Sequence, residues 1–143
     1  MYLPIVTEML GGKKILGQEI RTQMDLISLS RRGITKASLV HLAAYMGSPV
    51  SKVMALLPVT LRTIQRYSSQ DHLNKVVSEY VLHIAEVVAR GEEVFGDRKT
   101  FMNWLEQPST PFGGQSPESL LNSRIGTDMV LDELMRLEHG IVS

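Results

Sequence analysis

Thr60, Arg62, Thr63, Gln65 and Arg66 gather, within seven residues, side chains suited to duplex DNA. Arginine pairs bidentately with guanine and glutamine with adenine, and a threonine at a helix start favours a phosphate. If a helix begins after Thr60, Leu61 and Ile64 turn inward while Arg62, Thr63, Gln65 and Arg66 turn outward. The same pattern also fits a plain helical bundle with a solvated polar face. Groups that could do covalent chemistry do not assemble. His41, His72, His83 and His139 lack the spacing of a metal site, and without cysteine no thiolate zinc site can form. Gly11-Gly12-Lys13-Lys14 lacks the rest of a phosphate-binding loop. Glu92 and Glu93 are neighbours that point to different sides of a helix, so they do not make a proton-sharing pair. Serine, histidine and aspartate occur without a nucleophile elbow. No catalytic residue, no metal site and no cofactor is therefore expected.

Composition sets the frame for these residues. A chain of 143 residues with 43% apolar content and a mean hydropathy of +0.01 has the makeup of a folded domain. The absence of cysteine points to a reducing compartment, with the cytoplasm as the default. Residues 1–12 lack the basic and apolar regions of a secretory signal, and no stretch approaches the ~18 apolar residues of a membrane span. The net charge of zero conceals an asymmetry. Residues 1–70 carry nine basic and three acidic side chains, a net +6, which leaves −6 for the remainder. Two surfaces with different partners are implied, the basic one able to meet phosphate.

The elements that must hold these residues read as helices throughout. Ile20, Met24 and Ile27 space a first helix over 18–32, with Gly33 as its stop. Thr35 caps a second, with Leu39, Leu42, Ala43 and Met46 inward and Gly47 at its end. Ser48 and Pro49 open a third, with Val50, Val53, Met54 and Leu57 inward up to Pro58. Thr60 caps the fourth. Short helices around tight turns, followed by one that exposes Arg, Thr and Gln, match a helix-turn-helix. A long helix follows over 73–95, its seam formed by Val77, Val81, Ile84, Val88, Gly91 and Phe95, with Val76, Tyr80, Val87 and Val94 as a second row. A heptad dimer is the competing reading of that seam. Asp97 caps the next helix, which presents Phe101, Trp104 and Leu105, and residues 107–115 form a Pro- and Gly-rich loop. Ser116 and Pro117 restart helix, and after a break at Gly126 a last helix capped by Thr127 turns Val130, Leu134 and Leu137 inward and ends at Gly140. Residues 1–17, with Pro4 and three glycines, read as a flexible arm, with adding a strand to a partner or docking on the bundle as the open alternatives.

Taken in order, Glu93-Val94-Phe95-Gly96-Asp97, Trp104-Leu105, Pro108, Gly113-Gly114, Pro117, Leu120-Leu121, Gly126, Leu134 and Glu138-His139-Gly140 resemble the C-terminal toxin-binding domain of Xre/MbcA/ParS antitoxins. Upstream, Gly33-Ile34-Thr35-Lys36, Leu42-Ala43, Met46-Gly47 and Arg62-Thr63-Ile64-Gln65-Arg66 are similar to the helix-turn-helix half of that family. Tyr67, where members often carry a second arginine, and Pro58 ahead of the recognition-like segment depart from its pattern.

The resemblance implies an all-α chain, with an N-terminal Xre-like helix-turn-helix half joined by a long helix to a C-terminal helical toxin-binding domain. The expected division is an arm over 1–17, a DNA-binding domain over 18–70 and a toxin-binding domain over 71–143. It further implies an antitoxin that binds and occludes a RES-domain, NAD-consuming toxin and represses its own operon. As one helix-turn-helix reads only a half-site, antitoxin dimerisation within a hetero-oligomer with the toxin is expected. The residues nominated for toxin contact are Leu134, Leu137, Glu138, His139, Gly140, Ile141, Val142 and Ser143. There a short apolar tail plugs a cleft, or alternatively completes a helix cap. The alternative for the whole chain is a stand-alone helix-turn-helix regulator whose C-terminal half is a dimerisation bundle.

Overall fold

The computed structural model describes residues 3–140. Nine α-helices run through them: α1 (Leu3–Met9), α2 (Gly12–Leu16), α3 (Gln23–Arg32), α4 (Lys36–Met46), α5 (Val50–Met54), α6 (Leu61–Gln65), α7 (Lys75–Phe95), α8 (Arg98–Glu106) and α9 (Arg124–Gly140). Two 3-10 turns, Thr110–Phe112 and Pro117–Leu120, lie between α8 and α9. Among the described residues the β-structure is limited to an isolated bridge between Thr35 and His72, so the fold is all-α, as the residue periodicity indicates.

The helix starts carry side-chain caps that the sequence encodes. Thr35, Thr60, Asn74, Asp97 and Ser116 each accept the amide of the residue three positions on. At α3 the cap is reciprocal. Thr22 accepts the Asp25 amide and Asp25 accepts the Thr22 amide. The amides of Arg21 and Thr22 hold the Asp25 carboxyl below its ordinary range.

Helix α7 is the axis of the molecule. It packs against α9, α8, α3, α1 and α4, and Val77, Val81, Ile84, Val88 and Gly91 of the expected seam are buried. In the second row Val87 is buried while Val76 is exposed. A single core cluster links the N-terminal helices, α7 and the C-terminal helices, so α7 contributes to both halves.

Three expectations need correction. Residues 3–16, read as part of a flexible arm, are two short helices with Leu3, Val6, Met9, Leu10 and Leu16 buried. Each such side chain contributes roughly 1.5–3 kcal/mol on burial, enough to offset the ordering entropy of helices too short to persist alone. Glycine at 11 and 17 serves the turns here, with φ of 103° and 93°. The Thr7 hydroxyl accepts the Ile20 amide at 2.8 Å, and the Arg32 guanidinium donates to the Leu16 carbonyl at 3.1 Å.

The second correction concerns α3, which begins at Gln23 and buries Leu26, Leu29 and Ser30, leaving Met24 67% and Ile27 41% exposed. Ile20 is buried but precedes the helix, so a period anchored on it selects the wrong face. Third, α9 runs unbroken through Gly126 and Thr127. A Cβ on Gly126 would stand 2.0 Å from the Leu120 carbonyl oxygen, and the buried Thr127 hydroxyl donates to the Ser123 carbonyl at 2.8 Å. Gly126 is a close approach of two backbones rather than a helix break.

Candidate nucleic-acid and partner-binding surfaces

Helix α6 is only five residues long and needs tertiary support to exist. Ile64, almost fully buried, anchors it to the core, whereas Leu61 stays exposed. At its start the Thr60 hydroxyl accepts the Thr63 amide at 3.2 Å and lies 2.7 Å from the Thr63 hydroxyl. Arg62, Thr63, Gln65 and Arg66 are all exposed. Among the described residues no carboxylate lies within ion-pair distance of Arg62 or Arg66. The five residues nominated from sequence thus sit together on one short helix and its two caps, with both guanidinium groups exposed.

Beyond α6 the chain straps across the start of α4. The backbone amides of Lys36 and Ala37 donate to the carbonyls of Asp71 and Ser69, and the Leu73 amide donates to the Ile34 carbonyl at 2.8 Å. His72 Nδ1 lies 2.6 Å from the Gly33 carbonyl oxygen. The Lys36 ammonium donates to the carbonyls of Tyr67, at 2.9 Å, and Gln65, at 3.4 Å. Other cations of the basic half are likewise engaged: Arg21 by Glu19, Arg32 by the Leu16 carbonyl, and Lys52 by Glu106 and Glu118. The +6 of residues 1–70 therefore overstates the charge free to meet phosphate.

The C-terminal half is built on aromatic packing between α7 and α8. Phe101 is fully buried, its ring centroid 5.9 Å from that of Phe95 and 6.0 Å from that of the half-buried Trp104. Gly91 of α7 makes room for that ring: a Cβ there would stand 2.0 Å from Phe101 Cε1. Phe112 and Pro117 of the intervening loop are also buried.

The residues nominated for partner contact divide sharply. Leu134 is fully buried in the core, so it supports α9 and is not a contact surface; its place on the inward stripe with Val130 is the reason. Leu137 and Glu138 are half-buried, and His139 and Gly140 are exposed at the end of α9. Glu138 accepts from Arg90 of α7 at 3.0 Å, which fixes that end of the helix. Ile141, Val142 and Ser143 lie outside the described residues.

Sequence reasoning missed the exposed apolar side chains Ile125 (77% exposed), Met129 and Met135 of α9. It also missed the contacts that join the halves. The Tyr45 hydroxyl of α4 donates to Glu92 at 2.6 Å, and the Arg98 guanidinium stacks 4.7 Å above the Tyr45 ring. Lys52 of α5 bridges Glu106 of α8 at 3.1 Å and Glu118 at 3.0 Å. A groove of about 430 Å3 opens between α3, α7 and α9, lined by Ile27, Tyr80, His83, Glu86, Arg124 and Asp128 among others.

Among the described residues no cluster of three or more acidic or histidine side chains could hold a metal ion, and no helix is long and apolar enough to cross a membrane.

Residues 90–140 match the family described as the antitoxin Xre/MbcA/ParS C-terminal toxin-binding domain. They cover the end of α7, all of α8, the loop with its 3-10 turns, and α9. Three curated relatives carry the name Antitoxin Xre. The protein from Yersinia enterocolitica is 28% identical over 106 residues, 73% of this chain and 70% of the relative. Those from Pseudomonas putida and Photorhabdus laumondii are each 29% identical, over 57% and 55% of this chain. The chain spans about half the length of these last two, 52% and 54%. Residues 90–140 match that domain and proteins of that name align over as much as 73% of the chain, so the chain is similar to the Xre antitoxins.

Proposed function

We propose that the chain is the antitoxin of a type II toxin-antitoxin pair, acting in the cytoplasm and without catalytic chemistry of its own. Residues 71–143 bind a RES-domain toxin that consumes NAD and occlude its active site, while residues 18–70 bind the operator of the pair and repress it. The observation that carries this reading is the match of residues 90–140 to a toxin-binding family. That segment coincides with a set of packed helices whose last turn, Leu137 to Gly140, reaches the surface.

Packing matters because a short segment held at the end of a packed helix reaches a partner's cleft with less ordering cost than a free chain would. Leu137, Glu138, His139, Gly140, Ile141, Val142 and Ser143 form the inhibitory end, and Thr60, Arg62, Thr63, Gln65 and Arg66 contact DNA. Two helix-turn-helix units are needed for a two-fold operator, so the working species is a hetero-oligomer containing an antitoxin dimer.

Co-expression with the product of the adjacent gene, expected to be a RES-type toxin, tests the reading. The full chain should rescue the growth arrest that the toxin causes, and a chain truncated after Gly140 should rescue poorly. Equal rescue by the truncated chain rules out the tail as the inhibitory element. No rescue by the full chain refutes the antitoxin assignment.

A further inference from the structure

Helix α6 poses a mechanical problem. Five residues cannot sustain a helix, and one turn must hold two arginines at the angle a groove demands. Its start is fixed by Thr60 and its middle by Ile64. Its end would leave carbonyls without partners, as any helix C-terminus does. There the Lys36 ammonium supplies the missing donor, reaching the carbonyls of Gln65 and Tyr67 from across the strap.

The position of this lysine is otherwise unfavourable. Lys36 is the first residue of α4, whose first turn carries no acidic side chain. A cation at a helix N-terminus opposes the helix dipole, and the same charge at a C-terminus is favoured. Lys36 sits at the start of one helix and serves the end of another. A residue that breaks a local rule while satisfying a distant group marks a constraint beyond local stability.

We infer that Lys36 is a positioning residue for DNA recognition, holding α6 at its C-terminal end so that Arg62 and Arg66 keep a fixed direction. It acts through the helix, because two of the three N–H donors of its ammonium are directed at the Gln65 and Tyr67 carbonyls. The inference rests on the operator-binding role proposed above.

The experiment is a binding titration, across a series of salt concentrations, with the full chain and a duplex spanning the DNA upstream of its gene. Each cation in direct contact with phosphate contributes roughly one unit to the slope of log affinity against log salt. Lys36→Met should weaken binding roughly tenfold, the scale of one lost charged hydrogen bond, with the salt slope unchanged. Arg62→Ala, if its guanidinium lies on the backbone, should flatten the slope by about one. Lys36→Arg should recover most of the affinity. In the free protein, amide exchange at residues 64–67 should quicken in Lys36→Met while the middle of α7 stays protected, which separates local loosening from unfolding.

A flattened slope in Lys36→Met would make Lys36 a direct phosphate contact and overturn the inference. So would wild-type affinity in Lys36→Met, unchanged exchange at residues 64–67, or an Arg variant as weak as the Met variant. If the wild-type chain fails to bind the duplex even at low salt, the operator-binding reading itself falls and takes this role with it.

Discussion

Gly91→Ala separates two physical effects of opposite sign. In an exposed helix interior, replacing glycine by alanine stabilises by about 1 kcal/mol. At Gly91 the new methyl would lie 2.0, 2.3 and 2.4 Å from three carbons of the Phe101 ring, far inside contact distance. That ring has nowhere easy to go, as it is fully buried and flanked by Phe95 and Trp104. Forcing a methyl into such a core costs typically 1–3 kcal/mol and occasionally more; with three sub-van der Waals contacts the upper end applies. The net expectation is a loss of about 2 kcal/mol, or a Tm lower by roughly 6–10 °C for a chain of this size.

Urea unfolding followed by helical circular dichroism gives the free energy, and the fluorescence of the single tryptophan, Trp104, reports the same aromatic cluster. Phe101→Leu should itself destabilise. On that background, however, Gly91→Ala should cost much less than in the wild type, a coupling expected of residues in contact. If Gly91→Ala alone raises stability by about 1 kcal/mol, α7 and α8 do not approach as described and the account of the C-terminal body fails.

Three further outcomes are expected. Burial and the Glu92 contact push the Tyr45 hydroxyl from 10.0 up to about 12, so its stabilising effect is complete below pH 10 and disappears as pH rises towards 12. Absorbance titration should show a late-titrating component that disappears in Tyr45→Phe, and the variant should lose less stability than the wild type over that window. Ser38 is fully buried and, among the described residues, its hydroxyl has no hydrogen-bond partner, so Ser38→Ala should be neutral or stabilising by up to about 1 kcal/mol in urea unfolding; a destabilisation instead would mean that the hydroxyl has a partner. Arg62→Ala with Arg66→Ala should abolish the mobility shift of the upstream duplex while leaving Tm within about 2 °C, because both side chains are exposed; an unchanged band would refute their role.

Local rules made most of the helical frame legible. Thr35, Thr60 and Asp97 cap where their types and positions indicate, and the α7 seam is buried as spaced from Val77 to Gly91, with Phe95 half-buried. The errors arise where a longer-range contact decides. Ile20 satisfied a helical period but belongs to a linker pinned by Thr7. The Thr22–Asp25 capping box was present in the sequence and would have placed the start of α3 correctly. Gly126 has the type of a helix breaker, and only the backbone of Leu120 reveals it as a point of close packing. Leu134 shows the ambiguity of an apolar helix residue near a presumed interface, for burial and partner contact favour the same side chain. Lys36 was one charge among nine until the fold brought Gln65 and Tyr67 to its ammonium.

The central claim is that this chain restrains a toxin by direct contact, and one reconstitution tests it. The chain and the product of the gene adjacent to its own are purified separately, mixed, resolved by size-exclusion chromatography, and the fractions are assayed for NAD consumption. The account predicts one co-eluting complex in which consumption is suppressed and returns when the chain is removed. Separate elution, or undiminished NAD consumption with the chain in excess, would contradict it.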